Sequence, residues 1–481
     1  MPQTDKSTPR IALDHLPAGT PDLVNSNTIP QGITSREIYA DVFRIAWPAL
    51  VELTLTQLAS MVDMMMVGRL GSWAITAVGL TTQPKFLLMT MFMALNVGAT
   101  AMVARYKGAG RQDKANLVMR QALLLTLVLS ALSSVLGYTF ARPLLVLMGA
   151  QNDVVLDAGV NYFRIQMIGF VPMALTTTIT ATLRGVGNTK TPMVYNLIAN
   201  IVNVCFNYMM IYGHFGMPRL EVAGASWATI IGQFVAFLLA VEAILSPRQY
   251  LRFRPSDGLR PDLTELKNIF EIGLPAMLEQ FIMRAGMMLF ARMVADLGEL
   301  SFATHQVCMN IQAMSFMLGQ SFANAATSLV GQSLGKVRGD MAGIYSRHAQ
   351  RLGMAISFLL LFAFFFFGGQ IVSLYNDDPA LVEQGKNILR FIAVMQPLQA
   401  SQFILAGALR GAGDTRYTAV VSFLTVLLVR PGVAAITLYL LHMDLPGAWV
   451  AMVCDQLLRT TLIVGRYRTG KWKTVFKGHT A

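Results

Sequence analysis

The sequence predicts an all-α polytopic membrane protein with twelve transmembrane helices in two six-helix lobes related by a pseudo-twofold axis. Three observations lead to this prediction. Of the 481 residues, 54% are hydrophobic and only 13% are charged, whereas soluble domains carry about 25% charged residues. Apolar stretches of about 20 residues, the length that a helix needs to cross a bilayer, recur from end to end. The order of these stretches repeats halfway along the chain.

The apolar stretches number twelve, so both termini are expected on one side of the membrane. Lysine and arginine cluster in alternate loops, and the positive-inside rule makes those loops and both termini cytoplasmic. This distribution explains the net charge of +12 without nucleic acid as a partner. The predicted spans are about 42–66, 75–104, 119–140, 157–182, 191–212, 222–245, 267–293, 300–332, 348–373, 386–408, 417–441 and 446–465.

The spans divide the chain into five predicted segments. The first is polar and contains five prolines, so we expect a disordered tail. The segments are a cytoplasmic N-terminal tail (1–40), an N-lobe (41–246), a cytoplasmic inter-lobe loop (247–265), a C-lobe (266–466) and a basic cytoplasmic tail (467–481).

Two sequence repeats indicate that the second half is a copy of the first. IAWPALVE (45–52) returns as IGLPAMLE (272–279), and LRGVGNT (183–189) returns as LRGAGDT (409–415). Six spans separate each motif from its return, and six is even, so both copies begin on the cytoplasmic side and are parallel repeats. Such duplication is typical of secondary transporters, whose halves move around a central site.

The first span carries two acidic residues at membrane depth, Glu52 and Asp63. Eleven residues at about 100° each make about three helical turns, so both carboxyls lie on one face. An acid within a membrane span faces protein or a water-filled cavity and marks a candidate proton or cation site. The alternative is a polar contact that holds helices together.

The fifth span carries four asparagines on one helical face, whereas the second copy is mostly valine there. Buried amides need hydrogen-bonding partners, and a carboxylate, water or a small cation would supply them. We therefore predict a polar pocket in the first half, formed by Asp63 and this stripe, that takes Na⁺ or a proton. Stapling of neighbouring helices is the alternative. The stripe is Asn196, Asn200, Asn203 and Asn207.

The motifs together resemble the multidrug and toxic compound extrusion (MATE) family over about residues 40–465. The resemblance rests on DMMMVGRLG (63–71), AMVARYKGAGRQDKA (101–115), LRGVGNTKTPM (183–193), SLVGQSLGKVRGD (328–340) and LRGAGDTRYT (409–418). It implies two lobes forming a V, alternating access, and export of amphipathic, often cationic drugs or toxic metabolites in exchange for H⁺ or Na⁺. It also implies a monomer in the bacterial cytoplasmic (inner) membrane.

The resemblance implies a first-lobe cation site at Asp63, Asn203, Asn207 and Thr229, with no metal beyond Na⁺ at Asp63. Glu52, Asn196 and Asn200 are further candidates for cation or substrate binding. In the second lobe the candidates are Glu279 and Gln399. The chain departs from the family pattern there. Some family members carry an acid on the seventh helix and others on the tenth, and this chain has Met283 and Gln399 at those two positions. This departure favours coupling through Asp63.

Two other functions were weighed against drug–cation exchange. A lipid-linked oligosaccharide flippase of the same broad superfamily should carry several arginines for a pyrophosphate, and Arg284, Arg430 and Arg459 are the candidates. A receptor or membrane enzyme is the third class. The chain has no ATP-binding loop and no dinucleotide loop after a strand, so we expect neither an enzyme nor a cofactor.

Overall fold

The structure is a computed structural model that describes residues 11–19, 28–148, 153–254, 258, 260–375 and 378–475. Within those ranges all regular secondary structure is helical. The α-helices are α1 (Ser35–Gly68), α2 (Ser72–Gly108), α3 (Gln112–Thr139), α4 (Ala141–Leu147), α5 (Asp153–Ile168), α6 (Phe170–Gly185), α7 (Lys190–Tyr212), α8 (Glu221–Leu245), α9 (Leu263–Ala295), α10 (Glu299–Gly335), α11 (Gly339–Ser373), α12 (Pro379–Gly411), α13 (Thr415–Ser422), α14 (Arg430–Ala435) and α15 (Asp444–Arg468).

Each predicted span coincides with a long helix, except the fourth, which is a bent pair of helices, and the eleventh, which is a run of α-helical and π-helical segments. Among the described residues, nine helices are long and apolar enough to cross a membrane, or ten with the bent pair α5 and α6. Helices α9 and α10 have the length, with 33 and 37 residues, but are not among those nine. The last-but-one span, Thr415–Leu440, runs through α13 and α14 with two π-helical segments.

The fourth predicted span, 157–182, is bent rather than straight. Helices α5 and α6 meet at Gly169 with an angle of 52°. Pro172 lies three residues further on and cannot donate the backbone hydrogen bond that would join the two helices across this point. The short helix α4, before α5, has no counterpart in the predicted spans.

The first compact unit contains Val51–Lys107 and Arg111–Gly273. In it α7 packs along α8, α3 packs against α6, and α8 also contacts α5 and α6. Its apolar core includes Phe92, Phe163 and Phe170, all fully buried. These contacts hold α7 and α8 side by side, and both helices carry candidate site residues.

The second compact unit contains the described residues of Arg10–Leu50, Gly108–Gly110 and Leu274–Ala481. Helix α12 is its centre, since it contacts α10, α11 and α15. The unit boundaries differ from the proposed lobes, because the first half of α1 belongs to the second unit and the start of α9 belongs to the first.

The N-terminal segment contains an ordered part, which differs from the disordered tail that we expected. Ala12–His15 form a 3₁₀ helix, and Ile11 and Leu13 are buried in the core of the second unit. The Ala12 amide donates to Asp41 Oδ2 at 2.7 Å, and Tyr345 Oη donates to the same oxygen at 2.9 Å. Apolar residues at 11–13 and the buried acceptor Asp41 thus fix this segment.

The predicted duplication is visible in matched hydrogen bonds. In the first unit Thr100 Oγ1 donates to the Ala181 carbonyl at 3.0 Å, and in the second Thr327 Oγ1 donates to the Gly407 carbonyl at 2.8 Å. The members of the two pairs are 227 and 226 residues apart along the chain, as in the sequence repeats. The two copies therefore use the same contact between corresponding helices.

Candidate cation and substrate site

The asparagine stripe on α7 faces the acidic face of α1. Asn196 Nδ2 donates to Glu52 Oε1 at 2.6 Å, Asn200 Nδ2 donates to Thr56 Oγ1 at 3.2 Å, and Asn207 Nδ2 donates to Asp63 Oδ1. Each pair is 144 residues apart in the chain, because the two helices run parallel in register. The regular spacing of polar residues on both helices thus forms a row of hydrogen bonds between them.

Asp63 has the side-chain amides of two asparagines around its carboxylate. When the Asn203 amide nitrogen faces Asp63, it lies 3.0 Å from each carboxylate oxygen, and the Asn203 oxygen accepts from the Thr229 amide at 3.2 Å. This orientation satisfies both ends of the amide. Asn203 is 6% exposed and Asn207 is fully buried, and the Asn207 Oδ1 atom has no hydrogen-bond partner among the described residues.

Gly232 on α8 allows α8 to approach the asparagine helix closely. A Cβ atom at this position would lie 2.8 Å from the Ala199 carbonyl oxygen and 2.9 Å from Asn203 Cβ. Such contacts are too short to be accommodated without movement of a backbone. The absence of a side chain at Gly232 therefore helps to place Thr229, one turn earlier on α8, beside Asn203.

Asp63 lines a cavity of about 400 Å³ inside the first unit. Thr56, Asn196, Asn200, Asn203 and Thr229 line the same cavity, so it joins most of the predicted first-lobe residues. Asn207 is not among the residues that line the cavity, but its side chain donates a hydrogen bond to Asp63. A carboxylate that is partly buried yet open to a cavity can exchange a bound ion with water.

The sequence reasoning missed one charged residue in this cavity, Lys85 on α2. Its Nζ atom donates to Gln166 Oε1 on α5 at 2.7 Å, and its side chain lines the cavity together with Asp63. The signal was present, since a lysine inside an apolar span meets the same criterion that singled out Asp63.

Glu52 and Glu279, the other two candidate acids, are each bound to an arginine. Glu52 Oε1 lies 2.8 Å from Arg184 Nη2, and Glu279 Oε1 lies 3.3 Å from Arg410 Nη2. The two pairs are copies of each other, since Arg184 and Arg410 are the arginines of the repeated LRG motif. Among the described residues no cationic side chain lies within 4.0 Å of Asp63. The arginine contacts favour the helix-holding interpretation for Glu52 and Glu279.

In the second unit Gln399 is buried and its Oε1 accepts a hydrogen bond from Gln312 Nε2 at 3.4 Å. Asp455 is fully buried between two arginines: Arg430 Nε donates to its Oδ2 at 2.9 Å and Arg459 Nη2 donates at 2.7 Å. Only the Asp455–Arg459 pair, spaced by four on one helix, could have been found from sequence. Arg430 and Arg459 are thus engaged by a carboxylate.

The described residues contain no group of three or more histidine, cysteine, aspartate or glutamate side chains that could hold a metal ion. A cation at Asp63 would be held by the carboxylate and by amide oxygens that turn towards it, since the amide nitrogens face the carboxylate in this structure. Such oxygen donors suit a hard monovalent cation, and the carboxylate by itself suits a proton.

A family model, MatE, matches residues 48–209 and again residues 275–436. The two matches begin 227 residues apart, the spacing of the sequence repeats. They cover more than half of the chain. The chain belongs to the MATE family. It is therefore an integral membrane transporter of a multidrug efflux family, as its motifs had indicated.

Curated relatives agree with membership of the MATE family. The chain is 26% identical over 438 residues to a probable multidrug resistance protein NorM of Thermotoga maritima, covering 91% of this chain and 94% of that protein. It is 30% identical over 418 residues to the multidrug resistance protein PmpM of Pseudomonas aeruginosa, covering 83% and 84%.

Solved MATE structures share the fold. A MATE transporter in a bent conformation matches with a TM-score of 0.83 and 21% identity, covering 94% of this chain and 98% of that one. An outward-facing multidrug resistance MATE transporter matches with a TM-score of 0.84, also at 21% identity and with the same coverage. The predicted fold class of two helical lobes is thereby confirmed.

Proposed function

We propose that this MATE protein is a secondary active antiporter that exports amphipathic small molecules, drugs or toxic metabolites, in exchange for H⁺ or Na⁺ by alternating access. Coupling is assigned to Asp63, with Asn203, Asn207 and Thr229 as its partners. Both termini are cytoplasmic in this proposal, and the protein acts as a monomer in a bacterial inner membrane. The names of the NorM and PmpM relatives support drug export.

One observation carries the assignment to Asp63. Of the three candidate acids, it is the one whose hydrogen-bond partners are neutral amides, whereas Glu52 and Glu279 contact arginines. A carboxylate bound to an arginine has its charge balanced permanently, and replacing the arginine by a transient ion costs the energy of the pair. A carboxylate held by amides has no cationic side chain of the described residues in contact with it, so an ion can bind to it and leave without breaking an ion pair.

The orientation of the two amides at Asp63 affects Na⁺ and H⁺ coupling differently. With the Asn203 and Asn207 nitrogens turned towards it, the site stabilises an empty carboxylate that a proton can join directly. Binding of Na⁺ requires several oxygen ligands, so one or both amides would rotate. The unpartnered Asn207 Oδ1 atom could supply one such ligand. Na⁺ coupling therefore depends on the amides more strongly than H⁺ coupling does.

The test is efflux of a fluorescent amphipathic amine from proteoliposomes under an imposed proton gradient and then an imposed sodium gradient. Asp63→Asn should abolish gradient-driven efflux under either ion while the protein remains folded, since an amide cannot carry the compensating charge. Asn207→Leu should reduce sodium-driven efflux more than proton-driven efflux. Unimpaired gradient-driven efflux by Asp63→Asn would refute the proposal.

The oligosaccharide flippase is the less favoured function. It needs arginines available for a pyrophosphate, and two of its three candidates, Arg430 and Arg459, are buried against Asp455. Loss of lipid-linked precursor translocation on deletion of the protein would be the result that supports it.

A further inference from the structure

The cavity that contains Asp63 carries a second charge of opposite sign. Asp63 and Lys85 are the charged side chains among its described lining residues. Gln166 Oε1 accepts one of the three ammonium hydrogens of Lys85, which leaves donors for a group inside the cavity. The lysine is thus held in place by α5 while its charge faces the space that a substrate would occupy.

The lysine changes the charge that the cavity offers at each step of exchange. Asp63 alone would give a cavity of charge −1 when empty and zero when an ion is bound. With Lys85 the corresponding charges are zero and +1. Without Lys85, the empty cavity would attract a purely cationic substrate. With Lys85, the empty cavity has no net charge to attract a cation, and the ion-bound cavity repels it across a low-dielectric space.

The remaining lining is amphipathic. Met89, Met173 and Ala236 offer an apolar surface, and Gln233 offers a buried Oε1 atom that has no hydrogen-bond partner among the described residues. Methionine side chains adapt to apolar bodies of different shapes. The cavity therefore combines an apolar surface with one negative and one positive group.

We propose that Lys85 is a specificity-determining residue that binds an anionic group of the substrate, a carboxylate, so that the transporter prefers amphipathic zwitterions to the corresponding cations. The cationic group of such a substrate would bind Asp63, and its carboxylate would bind Lys85. The coupling ion then competes with the cationic group for Asp63 and does not compete for Lys85. This inference rests on the proposed function and narrows its substrate class.

A matched pair of dyes tests the inference. Rhodamine B has a free carboxylate beside its cationic ring system, and its ethyl ester carries an ethyl group in place of that negative charge. Wild-type protein in proteoliposomes should export the acid faster than the ester under the coupling gradient. Lys85→Met should lower the acid-to-ester ratio of efflux rates by about tenfold or more, the usual size of a lost charge-assisted hydrogen bond.

Three further variants make the outcome specific. Lys85→Arg should retain the preference for the acid. Lys85→Gln should lose this preference while keeping a polar side chain, and it replaces Lys85→Met in the test if that variant does not fold. Lys386→Met, which removes an exposed lysine paired with Glu383, should leave the ratio unchanged. An unchanged ratio in folded Lys85→Met or Lys85→Gln overturns this inference and leaves the antiporter intact. Movement of both dyes by wild type without any dependence on a gradient overturns the antiporter itself.

Discussion

Substitution of the glutamate in the repeated glutamate–arginine pair is the sharpest test of whether that acid is structural or couples transport to an ion. Glu52 on α1 is 7% exposed and contacts Arg184, whose side chain is 20% exposed. We expect Glu52→Gln to leave Arg184 with an uncompensated charge in a largely buried place. Removing one partner of a buried ion pair costs about 3–5 kcal/mol, and the partial exposure of Arg184 puts the expected loss at about 3 kcal/mol.

The second copy gives an internal comparison. Glu279 is bound to Arg410 at 3.3 Å and accepts further hydrogen bonds from Thr418 and Ser422. The two hydroxyls donate to different carboxylate oxygens, so Glu279→Gln keeps an acceptor for only one of them, and the other hydroxyl must turn to accept from the new NH2 group. We therefore expect a loss similar to that of Glu52→Gln. Exposed Glu383, paired with Lys386, is the matched control, because an exposed pair contributes about 0–1 kcal/mol.

Stability is measured by SDS titration of the purified protein, and transport by efflux per folded molecule. Glu52→Gln should lower the unfolding midpoint while the folded fraction still transports. Adding Arg184→Gln should recover much of the lost stability, because the isolated charge is then removed. If Glu52→Gln leaves the midpoint unchanged but abolishes gradient-driven efflux, the structural interpretation is refuted and Glu52 becomes a coupling acid.

Two other substitutions probe the packing that supports the site and the N-terminal segment. Gly232→Val should separate α8 from α7 and lower both stability and efflux, whereas Gly79→Ala, whose added Cβ meets no atom within 4 Å, should be neutral or stabilise slightly; equal effects of the two on the unfolding midpoint would contradict this. Asp41→Asn weakens the acceptor for Ala12 and Tyr345, so amide exchange and protease cleavage at residues 11–16 should accelerate at least about tenfold without loss of the fold. Unchanged exchange there would show that apolar burial of Ile11 and Leu13 alone holds the segment.

The sequence by itself determined the fold class and the duplication, and it named Asp63 and the asparagines as candidate site residues without Lys85. Apolar length and charge content require spanning helices, because backbone polar groups in lipid can be satisfied only within them. The helical period placed Glu52 and Asp63 on one face of the first span and the four asparagines on one face of the fifth span. These inferences are local or periodic, so they need no knowledge of tertiary contacts.

Only the tertiary structure decided which acid is paired and which is not. Arg184 lies 132 residues from Glu52 along the chain, and no spacing rule relates residues on different helices. The same holds for Lys85, whose position in the Asp63 cavity depends on how α2 packs, and for Asp455, which joins arginines of two helices. Charge compensation inside a membrane protein is a matter of distances of a few ångströms between helices, and the linear sequence does not contain those distances.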